Sequence, residues 1–186
     1  TKQLEIDSAG TATFTVDAII NTLTVGEGAN SIAGNTVLGY QALDAAVTGG
    51  NNTAIGYQSL TENTSGSDNV SVGKSSLDAN TSGTNNVAIG TSALGSNTTA
   101  SNNTAVGKLA LFANLTGSAN TAVGQEALDA NTEGNNNSAF GADCLGGNTT
   151  GDKNTGIGFQ ALVGNSTGEN NTAVGYQSLF ANQTGS

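Results

Sequence analysis

Acid–base chemistry has one opening in this sequence. Glu126 and Asp143 stand 17 residues apart, each two positions after a glycine, and a chain winding once per 17 residues would stack them about 5 Å apart at strand spacing. Retaining glycosidases hold their two carboxylates at roughly 5–5.5 Å. An exposed column that carries acids accounts for the same pair without catalysis, since charged side chains belong on surfaces. No other residues point to an enzyme. With no His, no Arg and one cysteine, neither a Ser-His-Asp nor a Cys-His arrangement can be assembled.

The remaining candidates are contacts rather than catalysts. Tyr40, Tyr57, Phe159 and Tyr176 each follow a glycine of the repeat; as a column they could stack on sugar rings or pack over a neighbouring coil or subunit. Phe112 and Phe180 share a second position and read as exposed contacts. Cys144 occupies a column otherwise filled by Ala and Ser, which reads as a small buried residue. Asp68, Asp152 and Glu169 fall in turns without a calcium-loop pattern, so no metal and no cofactor are expected. Asn63-Thr64-Ser65 and its successors match glycosylation acceptors, a recurrence that the turn they build already explains. The net charge is −10, with Lys2, Lys74, Lys108 and Lys153 the only cations. Such a chain has no basic stripe for nucleic acid or anionic membrane, and no apolar run is long enough to insert in a membrane.

What must position these residues is a repeat. Gly39, Gly56, Gly73, Gly90, Gly107, Gly124, Gly141, Gly158 and Gly175 are spaced 17 apart without an insertion, the mark of a unit that buries its apolar side only by stacking on copies of itself. The residue before each glycine is apolar and the fourth after it is Leu. The expected repeat core is therefore Ile55 with Leu60, Val72 with Leu77, Ile89 with Leu94, Val106 with Leu111, Val123 with Leu128, and Val174 with Leu179. Gly56 through Gly175 mark the bend. Asn52, Asn69, Asn86, Asn103, Asn120, Asn137, Asn154 and Asn171, four before each glycine, form a potential amide ladder. Small residues hold the columns two before and three after the glycine, which suggests close packing there, most simply by another copy of the chain.

Thr or Val, a small residue, an apolar residue and Gly read as a short strand with alternating faces; Asn-x-Thr-Gly reads as a turn. Gly, Asn and Thr disfavour a helix over the rest. The spacing predicts an all-β fold: residues 35–186 as a β-solenoid or β-roll of nine coils, two short strands each, about 40 Å long at strand spacing. Residues 1–34 are out of register and alternate like strands at Leu4–Ile6, Phe14–Val16 and Leu23–Val25. They are expected to be a β segment that caps the rod or docks it to another subunit, with residues 26–30 as a flexible joint. With no initial Met and a last residue that completes a repeat, the sequence reads as a piece of something longer.

Asn171-Thr172-Ala173-Val174-Gly175-Tyr176-Gln177-Ser178-Leu179, followed by Asn182-Gln183-Thr184-Gly185, resembles tandem repeats of phage tail fibres, those of marine cyanobacterial phages in particular. Gly10-Thr11-Ala12-Thr13-Phe14 and Leu23-Thr24-Val25-Gly26 resemble the lead-in to such repeats. Asn86-Val87-Ala88-Ile89-Gly90 is also similar to head repeats of trimeric autotransporter adhesins, which are typically shorter than 17 residues. The resemblance covers about four-fifths of the chain. It implies a homotrimeric, non-enzymatic shaft or adhesin of a virion appendage or a cell surface, serving attachment, with a cell-surface glycan or protein as receptor. Two other readings fit the residues: an extracellular filament joined by insertion of residues 1–34 into the next subunit, and an ice- or surface-binding solenoid using its Thr and Asn columns.

Overall fold

The computed structural model describes residues 5–6, 12–13, 18–20, 23–27, 32–45 and 47–185. All regular structure in them is β. Strands β1 (Glu5–Ile6) and β2 (Ala12–Thr13) pair antiparallel as a separate two-stranded ribbon. Strand β3 (Ala18–Ile20) pairs antiparallel with β4 (Leu23–Gly26), and β4 with β5 (Thr36–Gly39). From β5 onward every strand is parallel to the last. The series β6 (Thr53–Ile55), β7 (Val70–Val72), β8 (Val87–Ile89), β9 (Thr104–Val106), β10 (Thr121–Val123), β11 (Ser138–Phe140), β12 (Thr155–Ile157) and β13 (Thr172–Val174) keeps a register of 17. Nine parallel strands in about eight turns make a β-solenoid. Strand β4 covers the outer edge of β5, and Gly26, expected in the joint, instead pairs with Val37 as the last residue of β4. Residues 28–30 lie outside the described residues.

Each coil has one strand, not two. After the corner glycine every other residue has positive φ: Gln58 (53°) and Leu60 (55°), then Ser75 and Leu77, repeating to Gln177 and Leu179. This curls the chain while its peptide groups stay along the stack. Gly56 N–H and Gln58 N–H donate back to Leu38 and Tyr40 carbonyls (2.8 and 2.9 Å), and Leu60 N–H and Glu62 N–H donate forward to Ser76 and Asp78 (3.0 Å each). Hydrogen bonds therefore join coils around the perimeter, beyond the three residues of each strand. Left-handed φ penalises β-branched side chains most, a reason for this buried column to be Leu throughout and never Val or Ile. The corner glycine has its own reason: a Cβ at Gly56, where φ is +133°, would stand 2.5 Å from the Gly73 carbonyl oxygen.

The core differs from the expected one. The Leu column is fully buried from Leu43 to Leu162, and Leu179 is 50 % exposed. Ile55, Val72, Ile89, Val106, Val123 and Val174 lie on the outer face of the strands, half-buried or exposed; Val174 is 66 % exposed. The residues that face the core from the strands are the ones before them, all small after the first: Val37, then Ala54, Ser71, Ala88, Ala105, Ala122, Ala139, Gly156 and Ala173. In a three-residue strand only the middle residue can point inward if its neighbours point out. The coil is so thin that this residue meets the small column of the opposite wall. Ser59 Oγ donates to Ser71 Oγ at 2.8 Å, and Ser71 and Ser76 hydroxyls lie 2.6 Å apart. The small columns thus pack on each other, not on a second chain.

Two amide ladders flank this core. Asn52, Asn69, Asn86, Asn103, Asn120, Asn137 and Asn154 are fully buried, and Asn171 partly. Each Oδ1 accepts the next rung's backbone N–H, as Asn52 does from Asn69 (3.0 Å), and each Nδ2 reaches the next turn, as Asn52 does to Gly66 O (2.9 Å). The other ladder, Asn63 to Asn182, is bonded side chain to side chain: Asn80 to Asn63, Asn97 to Asn80 and onward, at 2.9–3.2 Å. Among the described residues every buried side-chain N or O has a partner.

Candidate functional site

The paired carboxylates are drawn into amide contacts. Asp143 Oδ2 accepts from Gln160 Nε2 at 2.7 Å and Glu126 Oε1 from Gln125 Nε2 at 3.2 Å; both backbones are left-handed (φ 56° and 57°). The sequence reading missed a third acid, Asp129, three residues after Glu126. Its carboxyl is pushed up to about 6, first by burial and then by the charges of Asp143 and Glu126. Burial likewise raises Asp78, helped by Glu62. Acids at the second and fifth positions after successive glycines were the signal for this cluster. Among the described residues no group of His, Cys, Asp and Glu is arranged to hold a metal ion, and no helix is long and apolar enough to cross a membrane. Cys144 is fully buried and its thiol is pushed up to about 11, mainly by that burial, which leaves it a packing residue.

The aromatic column is two pairs, not one ladder. Tyr40 stacks on Tyr57 (centroids 5.5 Å apart, planes at 20°) and Phe159 on Tyr176 (5.7 Å, 15°). Lys74, Thr91, Lys108, Gln125 and Ala142 separate the pairs. The Lys74 ammonium lies 5.9 Å from the Tyr57 ring centre. Each ring turns a face to its neighbour, so the flat faces a sugar would need are partly taken. Behind the rings glutamines repeat the stacking: Gln58 Nε2 donates to Gln41 Oε1 (3.2 Å) and Gln177 Nε2 to Gln160 Oε1 (2.9 Å).

Comparison with known protein families, with curated proteins and with solved structures finds no match to this chain.

The most extensive surface feature is the outer face of the strands. Two columns cover it: Thr36 to Thr172, hydroxyl or β-branched throughout, and Leu38 to Val174, apolar throughout. Neither has a charged residue in any coil, on a chain whose net charge is −10. All acids of the coils fall elsewhere, on the turns and the curled segment. The result is an uncharged, partly apolar strip the full length of the rod, about 40 Å at strand spacing. A column of exposed or half-buried apolar residues on consecutive coils is a candidate contact surface for another macromolecule.

Proposed function

We propose that this chain is a non-enzymatic structural shaft or adhesin of a virion appendage or cell surface, self-assembled as a homotrimer, that supports attachment to a host or surface carrying a glycan or protein receptor. The observation that carries the reading is the coil-to-coil bonding of the whole perimeter: backbone ladders and two buried Asn ladders tie every coil to both neighbours. Such a rod transmits position over its length and scales in length by whole coils. The amide-bound setting of Glu126 and Asp143 favours structure over hydrolysis.

The other readings are less well supported. The outer edge of β5 is occupied by the chain's own β4, so residues 23–26 pair within their own chain, and of the two columns the ice reading needs, the Asn column is buried while the Thr column lies on the outer face.

Deleting or duplicating one unit, residues 87–103, in the full protein tests the reading. Small-angle scattering should show the rod change by about 4.8 Å per coil while surface attachment persists. Loss of the rod on an in-register deletion, or polysaccharide hydrolysis abolished by Glu126→Gln, would overturn it.

A further inference from the structure

We infer that the apolar step on the curled side of the fifth coil, Leu109 and Phe112 with carboxylates before and after it along the stack, docks a basic segment of a partner protein. The segment is extended, with one apolar side chain flanked at alternate positions by Lys or Arg. This deepens the attachment reading, on which it rests, by naming the chemistry of the receptor.

The repeat separates what the fold needs from what it leaves free. Every coil keeps Asn four before its glycine and Leu four after it. The second position after the glycine instead ranges over Gln, Ser, Leu, Glu and Asp, and the fifth over Asp, Thr, Gly, Phe and Val. These two positions are neighbours on the surface. A Cβ on Gly146 would stand 3.3 Å from Asp129 Oδ1 and close against Asp143 Oδ1. The stack accepts any of these residues, so their identity is free to serve recognition.

The fifth coil is the one that is apolar at both positions. Phe112 is 41 % exposed although its ring leans back over the fourth coil, where a Cβ on Gly95 would meet Phe112 Cε2 at 3.0 Å. Apart from the columns on either side of the glycine and the last coil, the exposed large apolar residues described are Phe112 and Leu115, both of this coil. No packing rule of the repeat asks for them, and exposed apolar surface gathered at one place marks a contact.

Charge identifies the occupant. Asp78 holds the fifth position one coil before Gly95, and Asp129 holds it one coil after Phe112, with Glu126 and Asp143 beside it. Burial raises the carboxyls of both Asp78 and Asp129, and the charges that add to it are negative, Glu62 on the first and Asp143 and Glu126 on the second. Gln160 and Gln125 give Asp143 and Glu126 neutral amides, which leave their charges uncompensated. The lysines of the third and fifth coils, Lys74 and Lys108, stand in the exposed column after the glycine, Lys74 against the Tyr57 ring. A cationic partner relieves this crowding, and the net charge of −10 steers its approach.

Spacing gives the partner its form. From Asp78 to Asp129 is three coils, about 14 Å at strand spacing. Alternate side chains of an extended segment lie about 6.6–6.8 Å apart on one face, so a basic residue on each side of one apolar residue spans about 13 Å. With the apolar residue on Phe112, both cations reach carboxylates. A small amine or a metal ion would fill one acidic group and leave the ring uncovered.

The test titrates the full chain into a fluorescent peptide with arginine, leucine and arginine at alternate positions in a glycine–serine background, read by anisotropy at pH 7. Leu109→Gln with Phe112→Thr writes the second coil's own pair, Gln58 and Thr61, into the fifth, and should weaken binding about tenfold or more. Asp78→Asn with Asp129→Asn should weaken it about tenfold, while Glu169→Gln, at an exposed acid of a turn, should leave it unchanged. Circular dichroism checks that each variant is folded, and the two pairs are independent readings of the site. Equal loss from Glu169→Gln, equal binding of a peptide with serine for leucine or glutamate for arginine, or no binding to the folded wild-type chain would overturn the assignment. So would altered sedimentation of the chain alone on Leu109→Gln with Phe112→Thr, which would give the patch to a second copy. Absent peptide binding with length scaling and attachment intact would sink the site and leave the shaft reading standing; loss of length scaling with peptide binding intact would do the reverse.

Discussion

Cys144 and Gly156 offer the sharpest test of how this core is packed. Along the stack, the residue three after one glycine faces the residue two before the next, and the facing pairs are small: Ala93 with Ala105, Ala110 with Ala122, Ala127 with Ala139 and Ala161 with Ala173, all buried. Ser59 with Ser71 is the one pair joined by a hydroxyl hydrogen bond. Cys144 breaks the size rule and Gly156 restores it. A Cβ on Gly156 would lie 2.5 Å from Cys144 Sγ and 3.5 Å from Leu145 Cγ, well inside the carbon–sulfur contact distance and next to a buried Leu that cannot give way. Gly156→Ala alone should therefore cost about 2–3 kcal/mol, the upper part of the range for overpacking a tight core. Cys144→Ala alone leaves a void of one sulfur against a glycine and should cost about 1 kcal/mol. The double variant recreates the Ala–Ala pair of the neighbouring coils and removes a backbone glycine, so it should match or exceed the wild type. The coupling energy would then be at least ~3 kcal/mol. Urea melts followed by circular dichroism on all four proteins measure it. Additive single effects would refute the idea that facing columns share one fixed volume.

Other consequences follow from the same geometry. Leu94→Ile keeps volume but puts a β-branch on a residue with φ 51°; its loss should exceed the ~1.5 kcal/mol ceiling of volume-conserving swaps, whereas Leu94→Met should stay below it. Asn131→Ala removes an amide that donates to Asn114 Oδ1 (2.9 Å) and Gly134 O (3.0 Å) and accepts from Asn148; leaving these buried groups unpaired should cost about 3 kcal/mol or more, and hydrogen exchange should rise in the flanking coils first. Asp129 binds its proton more tightly folded than unfolded, because its carboxyl rises from 3.8 to about 6. Its contribution therefore favours the fold below pH 4 and is lost as the pH climbs through 6; Asp129→Asn should raise stability at pH 7 and flatten that part of the pH profile.

The sequence alone determined the repeat, and with it the solenoid. A 17-residue period without insertions permits like residues to stack on like, and the Leu and Asn columns record two things every coil must bury, an apolar contact and a satisfied amide. Which side of the strand enters the core was decided only in three dimensions. Hydrophobicity favoured Ile55 and its successors, but a wall facing another wall across a thin coil has room for Ala and not for Ile, so burial went to the smaller residue. The left-handed Leu column was equally hidden, because propensity describes residues one at a time while the curl is imposed by hydrogen bonds to the coils on either side. The same inversion moved the apolar column outward, and that is why the most extensive surface lies on the strands and not on the aromatic or acidic positions that first drew notice.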